Sequence, residues 1–520
     1  NVTGNQMYDI TSTAPFYNFN IGKVSAGSGN VQLNAINWSF DGSGGNTATV
    51  AAQPLRVLNN LVANGTIAVG VVGNNNNIEV GGNMTVNTGV TLSTGTGLLV
   101  FNGNLAQTFS MNGTVGVAGL GGLTVDKNPV TALNIAGSIA TLPFTGGLNL
   151  LRGTLNDGSK TITFGGNLIN NTVHAGLGRI VLNGTAAQTI GGSGNGIFQN
   201  LEIASNAGAV GSLQVTATNT LRVNGNFIMS TDRRMSIGIH KLILSGTSQM
   251  ISVSGSFGIN RFIQTDGFLS DGGIVKTFAN TTAVVFPFGT GTNYTPATIQ
   301  FSAAPTTWGT LDVRPVTARQ LYVTDPNTFI YHWKVRQTGF TGVPANSINL
   351  TFNYGSLPDN ATYIPAYYNY STISYTPIND VTKVDEASNN ILFTGVSYFN
   401  GDFTAGVPAA FGVVVPFYSR SNGSWNTPST WSNNTVLKHA GAASALVPAS
   451  NSPVFIGDGT TYFHSITVPN NNTVSGSLIV DAGSTLDLGS TTGNNFGALP
   501  YSTAGGAGRI RISSNTPTAE

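Results

Sequence analysis

The chain contains no cysteine, so neither a disulfide bond nor a thiolate-bound metal ion can contribute to its fold. Side-chain packing and backbone hydrogen bonds must therefore hold the structure together. The sequence also lacks any run of about 20 apolar residues, the length that a membrane-spanning helix needs. It begins at Asn1 without a signal-peptide pattern, and we expect a processed form or a fragment of a longer protein.

Charge is scarce as well. Lys, Arg, Asp and Glu make up 8% of the residues, against about 25% in an ordinary soluble domain. The 21 basic and 20 acidic residues leave a formal charge of +1. Without a basic stripe the chain is not expected to bind nucleic acid. Hydrophobic residues reach 40%, which is the opposite of the composition typical of disorder, so we expect a folded chain.

What the sequence does have is glycine, 67 residues of it, and internal repeats. Four segments share a glutamine that is followed ten to thirteen residues later by a large apolar residue. Gln6 precedes Phe16 by ten residues, and Gln107 precedes Leu120 by thirteen. We expect the larger spacings, 104 residues from Phe16 to Leu120 and 78 residues from Leu120 to Phe198, to be whole numbers of stacked coils. The glutamines that define this repeat are Gln6, Gln107, Gln188 and Gln249.

A second motif, Gly-Gly-Asn or Asn-Gly-Asn, occurs between the glutamine segments, and each copy is followed by an apolar strand that ends at another glycine. These glycine pairs are 21, 18 and 21 residues apart, a suitable length for one coil of a parallel β-solenoid. Apolar and polar residues alternate at period two throughout, as in half-buried strands. We predict that the motif asparagines stack into hydrogen-bonded ladders at equivalent corners. These asparagines are Asn83, Asn167 and Asn226.

The pattern changes near Phe286, where prolines, aromatic residues and longer β-branched strands become frequent. The predicted fold is therefore all-β: a parallel β-solenoid (β-helix), then an antiparallel β-sandwich, then the start of a second β-solenoid. A set of unrelated β-sandwiches is the alternative interpretation. The predicted domains are a Gly/Asn-rich solenoid over 1–283, a sandwich module over 284–412, a linker over 413–452 that leads into the next module, and a second solenoid-like segment over 453–520.

Many parallel β-helices cleave polysaccharides, a reaction that requires clustered carboxylates. Acidic residues are scattered, and the adjacent pair Asp385–Glu386 falls in the predicted sandwich, where a solvated turn is the simpler interpretation. The five histidines do not have metal-ligand spacing. We therefore predict no catalytic, metal or cofactor site and no enzymatic activity. A tyrosine-rich strand region is the candidate for stacking on sugars. Its members are Tyr363, Tyr367, Tyr368, Tyr370 and Tyr375.

Several segments together resemble large repetitive cell-surface proteins of Bacteroidota that the type IX system secretes. These are the glutamine repeat, "FPFGTGTNYTPATI", "GDFTAGVPAAFG" and "SNGSWNTPSTWS". The resemblance implies a secreted, extracellular adhesin or filament at the bacterial outer surface, without catalytic residues. The family's C-terminal sorting domain is not recognisable. We expect self-association or continuation into a longer fibre, with surface glycans or other cells as partners. A carbohydrate-binding or polysaccharide-degrading β-helix protein is the alternative, and an autotransporter-like passenger is a weaker one.

Overall fold

The fold is all-β, with four short 3₁₀ helices in the described residues, and it is described by a computed structural model of the chain. No helix in the described part of the chain has the length and hydropathy needed to cross a membrane. The 3₁₀ helices are Val381–Lys383, Pro408–Phe411, Pro428–Thr430 and Lys438–Ala440. The structure describes residues 6–9, 15–21, 31–34, 37–39, 47–49, 54–64, 67–69, 77–253, 255–323, 327–358, 363–378, 380–411, 416–432, 434, 437–444, 447–448, 452–471, 473, 475, 477–494, 496 and 508–511.

The first part of the chain is a parallel β-solenoid with three faces. From Leu55 onward each coil contributes one strand to face 1, then one to face 2, then one to face 3, and each strand pairs in parallel with the strand one coil away. Face 1 contains Leu55–Val57, Ile78–Val80, Leu98–Phe101, Gly122–Asp126, Leu148–Arg152, Leu168–Asn170, Gln188–Gly191, Leu213–Ala217, Arg234–Ser236, Ile263–Thr265 and Phe288–Thr290.

Faces 2 and 3 complete the coils. Face 2 contains Phe19–Ile21, Leu61–Ala63, Met84–Val86, Gln107–Met111, Ala132–Ala136, Thr154–Asn156, Val173–Ala175, Ile197–Phe198, Leu221–Val223, Lys241–Leu244 and Gly273–Thr277. Face 3 consists of two sheets, the first with Gln6–Asp9, Val31–Asn34, Ile67–Val69, Thr91–Leu92 and Thr114–Val115, the second with Thr141–Phe144, Thr161–Phe164, Arg179–Leu182, Leu201–Ile203, Phe227–Met229 and Met250–Ser252. A hairpin joins Asn37–Ser39 to Thr47–Thr49.

Coil length agrees with the glycine steps in the sequence. Val80 pairs with Phe101, 21 residues later, and Phe164 pairs with Leu182, 18 residues later. These pairs directly precede the glycine motifs, so each predicted step is one coil. The predicted parallel β-solenoid is therefore confirmed.

Stacked apolar residues form the solenoid core. On face 1, Leu99, Leu123, Leu148, Leu168 and Ile190 are partners in successive coils, and all are buried. Alternation at period two places these residues inside while their neighbours face solvent. Burial of each such side chain contributes about 1.5–3 kcal/mol relative to exposure. The core is thus stabilised coil by coil without disulfides.

At the C-terminal end of the solenoid, face 2 continues into antiparallel strands. Gly273–Thr277 pairs with Thr310–Val316, so the sheet crosses the position at which the sequence predicts a boundary. The added strands are Thr310–Val316, His332–Thr338, Gly401–Gly406, Ile364–Asn369 and Ser374–Pro377. Face 1 ends with the short antiparallel strand Asn293–Tyr294.

A second antiparallel sheet shares aromatic contacts with these added strands. The rings of Trp333 and Phe352 are 5.1 Å apart, and those of Phe352 and Phe403 are 5.0 Å apart. Residues 1–320 and 328–406 form one compact unit. The strands of the second sheet are Val284–Phe286, Ala297–Phe301, Ile348–Asn353, Asn390–Val396 and Val384–Asp385.

Residues 321–327 and 407–520 form the other compact unit. Its described strands pair mainly in parallel around a core that includes Trp425 and Trp431, both buried. The indole Nε1 of Trp431 donates a hydrogen bond to the Trp425 carbonyl at 2.8 Å, so both tryptophans pack this unit's own core. The strands are Phe417–Ser419, Gly423–Ser424, Trp431–Ser432, Pro453–Ile456, Ser465–Thr467, Ser477–Val480, Thr485–Asp487 and Arg509–Arg511.

Candidate functional site

Gln107 and Gln188, two of the predicted repeat glutamines, occupy matching positions at solenoid corners. Each is buried, and each side-chain oxygen accepts the N–H of a glycine four residues earlier, Gly103 at 3.0 Å and Gly184 at 2.8 Å. Each side-chain amide nitrogen donates to two carbonyls of the preceding coil, Val80 and Gly82 for Gln107, and Phe164 and Gly166 for Gln188. Each glutamine thus supplies hydrogen-bond partners to three backbone groups at its corner.

The other two predicted glutamines differ. Gln249 is exposed, and the matching position is Ser248, which is buried and donates to the Val223 carbonyl at 2.9 Å. The prediction for Gln249 is therefore wrong by one position, and Ser248 has the corner role. The backbone of Gln6 lies in the first strand of face 3, and its side chain lies outside the described residues.

The corner glycines are required because the coils approach closely. A Cβ atom on Gly103 would lie 1.9 Å from the Gly81 carbonyl oxygen, and one on Gly184 would lie 2.4 Å from that of Gly165. No larger residue fits without moving the backbone. Glycine therefore recurs near the corner glutamines because one coil packs directly on the next there.

A third layer completes these corners. Above Gly103, the Lys127 ammonium donates to the carbonyls of Gly103 and Leu105 at 3.0 and 2.8 Å and to the Gln107 side-chain oxygen at 2.5 Å. At the Gln188 corner, Ser205 donates to the Gly184 carbonyl. At the Ser248 corner, Lys276 donates to the carbonyls of Ser245 and Gly246. Burial lowers the pKa of Lys127 and of Lys276 to about 8. Sequence inspection missed these lysines because nothing in the motif marks the third layer.

The motif asparagines do form ladders, but not with one another. Asn83 lies between faces 1 and 2, Asn167 between faces 3 and 1, and Asn226 between faces 2 and 3. Because they occupy three different corners, the predicted stacking of these three is wrong. Each corner has its own ladder: the Asn60 side-chain oxygen accepts the Asn83 N–H at 2.8 Å, and the Asn83 oxygen accepts the Thr108 N–H at 2.8 Å.

The long glutamine-repeat spacings are not whole numbers of coils either. Phe16 bridges to Val57 on face 1, Leu120 bridges to Phe144 on face 3, and Phe198 lies on face 2. The corner motif recurs at different corners of the coil, so its longer spacings do not measure coil length.

Three of the five candidate sugar-stacking tyrosines are buried. Tyr363, Tyr367 and Tyr368 contribute to the interior of the antiparallel region, Tyr375 is half-buried, and Tyr370 is 36% exposed. The row of exposed rings expected from the sequence is thus reduced to Tyr370 and part of Tyr375.

These two tyrosines lie beside a buried carboxylate, Asp402. The Tyr370 hydroxyl donates to Asp402 Oδ2 at 2.5 Å, and the Arg336 guanidinium lies 3.2 Å from Oδ1. The Lys334 ammonium lies 3.8 Å from Oδ1. The Gln320 amide approaches Oδ2 at 3.4 Å and accepts the Tyr375 hydroxyl proton at 2.5 Å. We call Gln320, Lys334, Arg336, Tyr370, Tyr375 and Asp402 the Asp402 cluster.

Burial governs the titration of this cluster. It lowers the pKa of Lys334 and, despite the nearby Asp402 carboxylate, that of His332 as well. The Nδ1 atom of His332 lies 2.8 Å from the Ala318 carbonyl oxygen. Burial, reinforced by the hydrogen bond to Asp402, raises the pKa of Tyr370. Neutral His332 and Tyr370 therefore flank the ion pairs that Asp402 makes with Arg336 and Lys334.

Other polar groups are brought together elsewhere. In the solenoid, His174 Nε2 lies 3.0 Å from Asp157 Oδ2, with both side chains fully buried. In the second unit, the Ser419 hydroxyl lies 2.8 Å from His464 Nδ1, and the rings of His439 and His464 are 6.2 Å apart. Ser419 is completely buried, so no substrate has access to its hydroxyl. These contacts stabilise loops and corners.

The acidic pair Asp385–Glu386 lies at the start of a turn. Asp385 accepts the Ala387 N–H at 3.0 Å within a turn, in agreement with the predicted solvated turn. Among the described residues, no three His, Cys, Asp or Glu side chains are close enough to hold a metal ion.

Fold and geometry define an all-β protein built on a parallel β-solenoid whose corners are satisfied by buried glutamine, serine and lysine side chains. Comparison with protein-family models, with curated proteins and with solved structures finds no match for this chain.

Proposed function

We propose that this chain is a non-enzymatic, extracellular structural or adhesive protein of a bacterial surface, in which the solenoid serves as a stiff rod. The observation that carries the proposal is the three-layer corner built on Gln107 and on Gln188, which ties the coils at these two places to their neighbours through buried hydrogen bonds. Such bonding resists bending and pulling along the coil axis. This property suits a load-bearing rod.

The finer organisation is part of the same proposal. Residues 284–412 act as a β-sandwich module, and 453–520 begin a second solenoid. The resemblance to Bacteroidota surface proteins secreted by the type IX system, which rests on sequence motifs alone, supports the outer cell surface as the location. A carbohydrate-binding protein is the second candidate, favoured by the partly exposed Tyr370 beside Arg336 and Lys334.

Self-association is expected at an open sheet edge. Face 3 ends at Met250–Ser252, and in the described residues no strand pairs with the outer side of this strand, whereas faces 1 and 2 continue. An unpaired edge can accept a strand from a second copy.

Negative-stain electron microscopy and light scattering at high protein concentration test this expectation. The native chain should form end-to-end oligomers or filaments, and Ile251→Lys should shift it to monomers because an edge charge opposes pairing. Leu177→Lys, at a loop position that is 86% exposed, is the matched control and should still assemble. Isolated monomers of the native chain at all concentrations would contradict the fibre-forming part of the proposal.

A further inference from the structure

The face of the antiparallel sheet that carries Lys334 and Arg336, whose side chains are 14% and 31% exposed, concentrates charge in a chain that has little. Arg314, Lys334, Asp402, Tyr368 and Tyr375 are direct cross-strand partners in one row. In the next row, Arg336 lies opposite Asp312. Three cations therefore occupy neighbouring positions on adjacent strands, in a protein with only 21 Lys and Arg among 520 residues.

The nearby carboxylates do not neutralise all three of these cations. Asp402 is shared between Arg336 and Lys334, and Asp312 is paired with Lys241 at 2.8 Å. The Nε atom of Arg314 is buried and has no hydrogen-bond partner among the described residues. Asp271, a carboxylate that interacts electrostatically with Arg314, already accepts the N–H groups of Gly267 and Phe268. The face therefore keeps a positive excess.

The cations are also held in place. The Arg336 guanidinium lies over the Tyr370 ring at 4.4 Å, and the Lys334 ammonium lies 5.0 Å from the same ring centre. Because Tyr370 is itself fixed by its hydrogen bond to Asp402, the cations lose little freedom when they bind an anion. A guanidinium bonds carboxylate and sulfate groups through two parallel N–H donors.

We propose that this face binds an anionic polysaccharide, one that carries carboxylate or sulfate groups, through a site made of Arg314, Lys334, Arg336, Tyr370 and Tyr375. Tyrosine rings with hydroxyl groups next to fixed cations suit a sugar chain, which offers both hydroxylated rings and regularly spaced anions. Nucleic acid fits less well because three cations cannot follow a phosphate backbone. The inference rests on the proposed adhesive function and names the surface that the protein would contact.

Calorimetry with the full-length chain tests the site, using polygalacturonate as the carboxylated probe, dextran sulfate as the sulfated one and neutral dextran as the control polymer. At least one anionic polymer should bind, with affinity that falls as salt rises. The double variant Lys334→Gln/Arg336→Gln should bind about tenfold or more weakly. Arg336→Lys keeps the positive charge but loses the two parallel N–H donors of the guanidinium, so it should weaken binding less than the double variant does.

Arg152→Gln is the matched control, since Arg152 is an exposed arginine paired with Asp126 on the solenoid. It should bind like the native chain, and thermal unfolding of each variant verifies folding. The proposal would be overturned if neutral dextran bound equally well, or if the folded double variant bound as the native chain does. It would also be overturned if the chain preferred polyglutamate, an acidic polypeptide, over both anionic polysaccharides. If end-to-end assembly persists while no anionic polymer binds, this site is refuted and the proposed structural role stands.

Discussion

At the scale of single residues, the buried corner lysines make stability depend on pH. The pKa of Lys127 and of Lys276 is about 8 in the folded chain, against 10.5 as the ordinary value. Between these values the unfolded chain holds more protons than the folded one, so the free energy of unfolding rises with pH. This stabilisation is complete above the ordinary lysine pKa of 10.5 and is lost as pH falls through about 8.

Urea unfolding from pH 7 to 10 measures this dependence. The native chain should gain on the order of 1 kcal/mol or more per lysine, and Lys127→Met/Lys276→Met should show a flatter profile. Lys438→Met, which removes an exposed lysine, should leave the profile unchanged. A stability of the native chain that falls over this range, or an identical slope in the double variant, would show that burial does not disfavour the charged lysines.

The corner glutamines allow a sharper comparison. Gln188→Ala leaves the Gly166 carbonyl and the Gly184 N–H without the partner that this side chain supplies in the corner. We expect a loss of about 3 kcal/mol in the free energy of unfolding, since each unsatisfied buried group costs about 1–3 kcal/mol. Gln249→Ala, in the similar sequence motif, removes an exposed side chain and should cost less than about 0.5 kcal/mol. Similar losses for the two variants would refute the corner assignment.

At the scale of strands and coils, the sequence predicts the strands and the coil length. It does not predict which corner of a coil each recurring motif occupies. Alternation at period two identifies strands such as Leu148–Arg152, and the step from Gly82 to Gly103 gives the coil length because both glycines lie on one corner. The equivalence of Asn83 with Asn167 could not be judged in the same way. One coil has three corners of similar chemistry, and coils vary in length, so a recurring motif does not specify which corner it occupies.

The candidate site was only partly predictable for a related reason. The sequence indicates a tyrosine-rich strand, but burial of Tyr367 and Tyr368 depends on which face of the strand packs inward. Lys334, Arg336 and Asp402 are up to 68 residues apart and meet only because their strands are neighbours in one sheet. Cross-strand neighbours of this kind cannot be read from local spacing.

At the scale of the molecule, stacking in one dimension should make damage local. Leu148 lies in the middle of the face 1 stack and is completely buried, so Leu148→Ala creates a cavity that costs about 2–5 kcal/mol. Each coil mainly contacts its two neighbours, so hydrogen exchange should accelerate most in Gly122–Asp126 and Leu168–Asn170, the strands paired with that coil. Protection in Ile263–Thr265 should change least. Equal acceleration in all three strands would mean that residues 1–320 and 328–406 open as one cooperative body, and the solenoid would then transmit local damage to the strands that carry the Asp402 cluster.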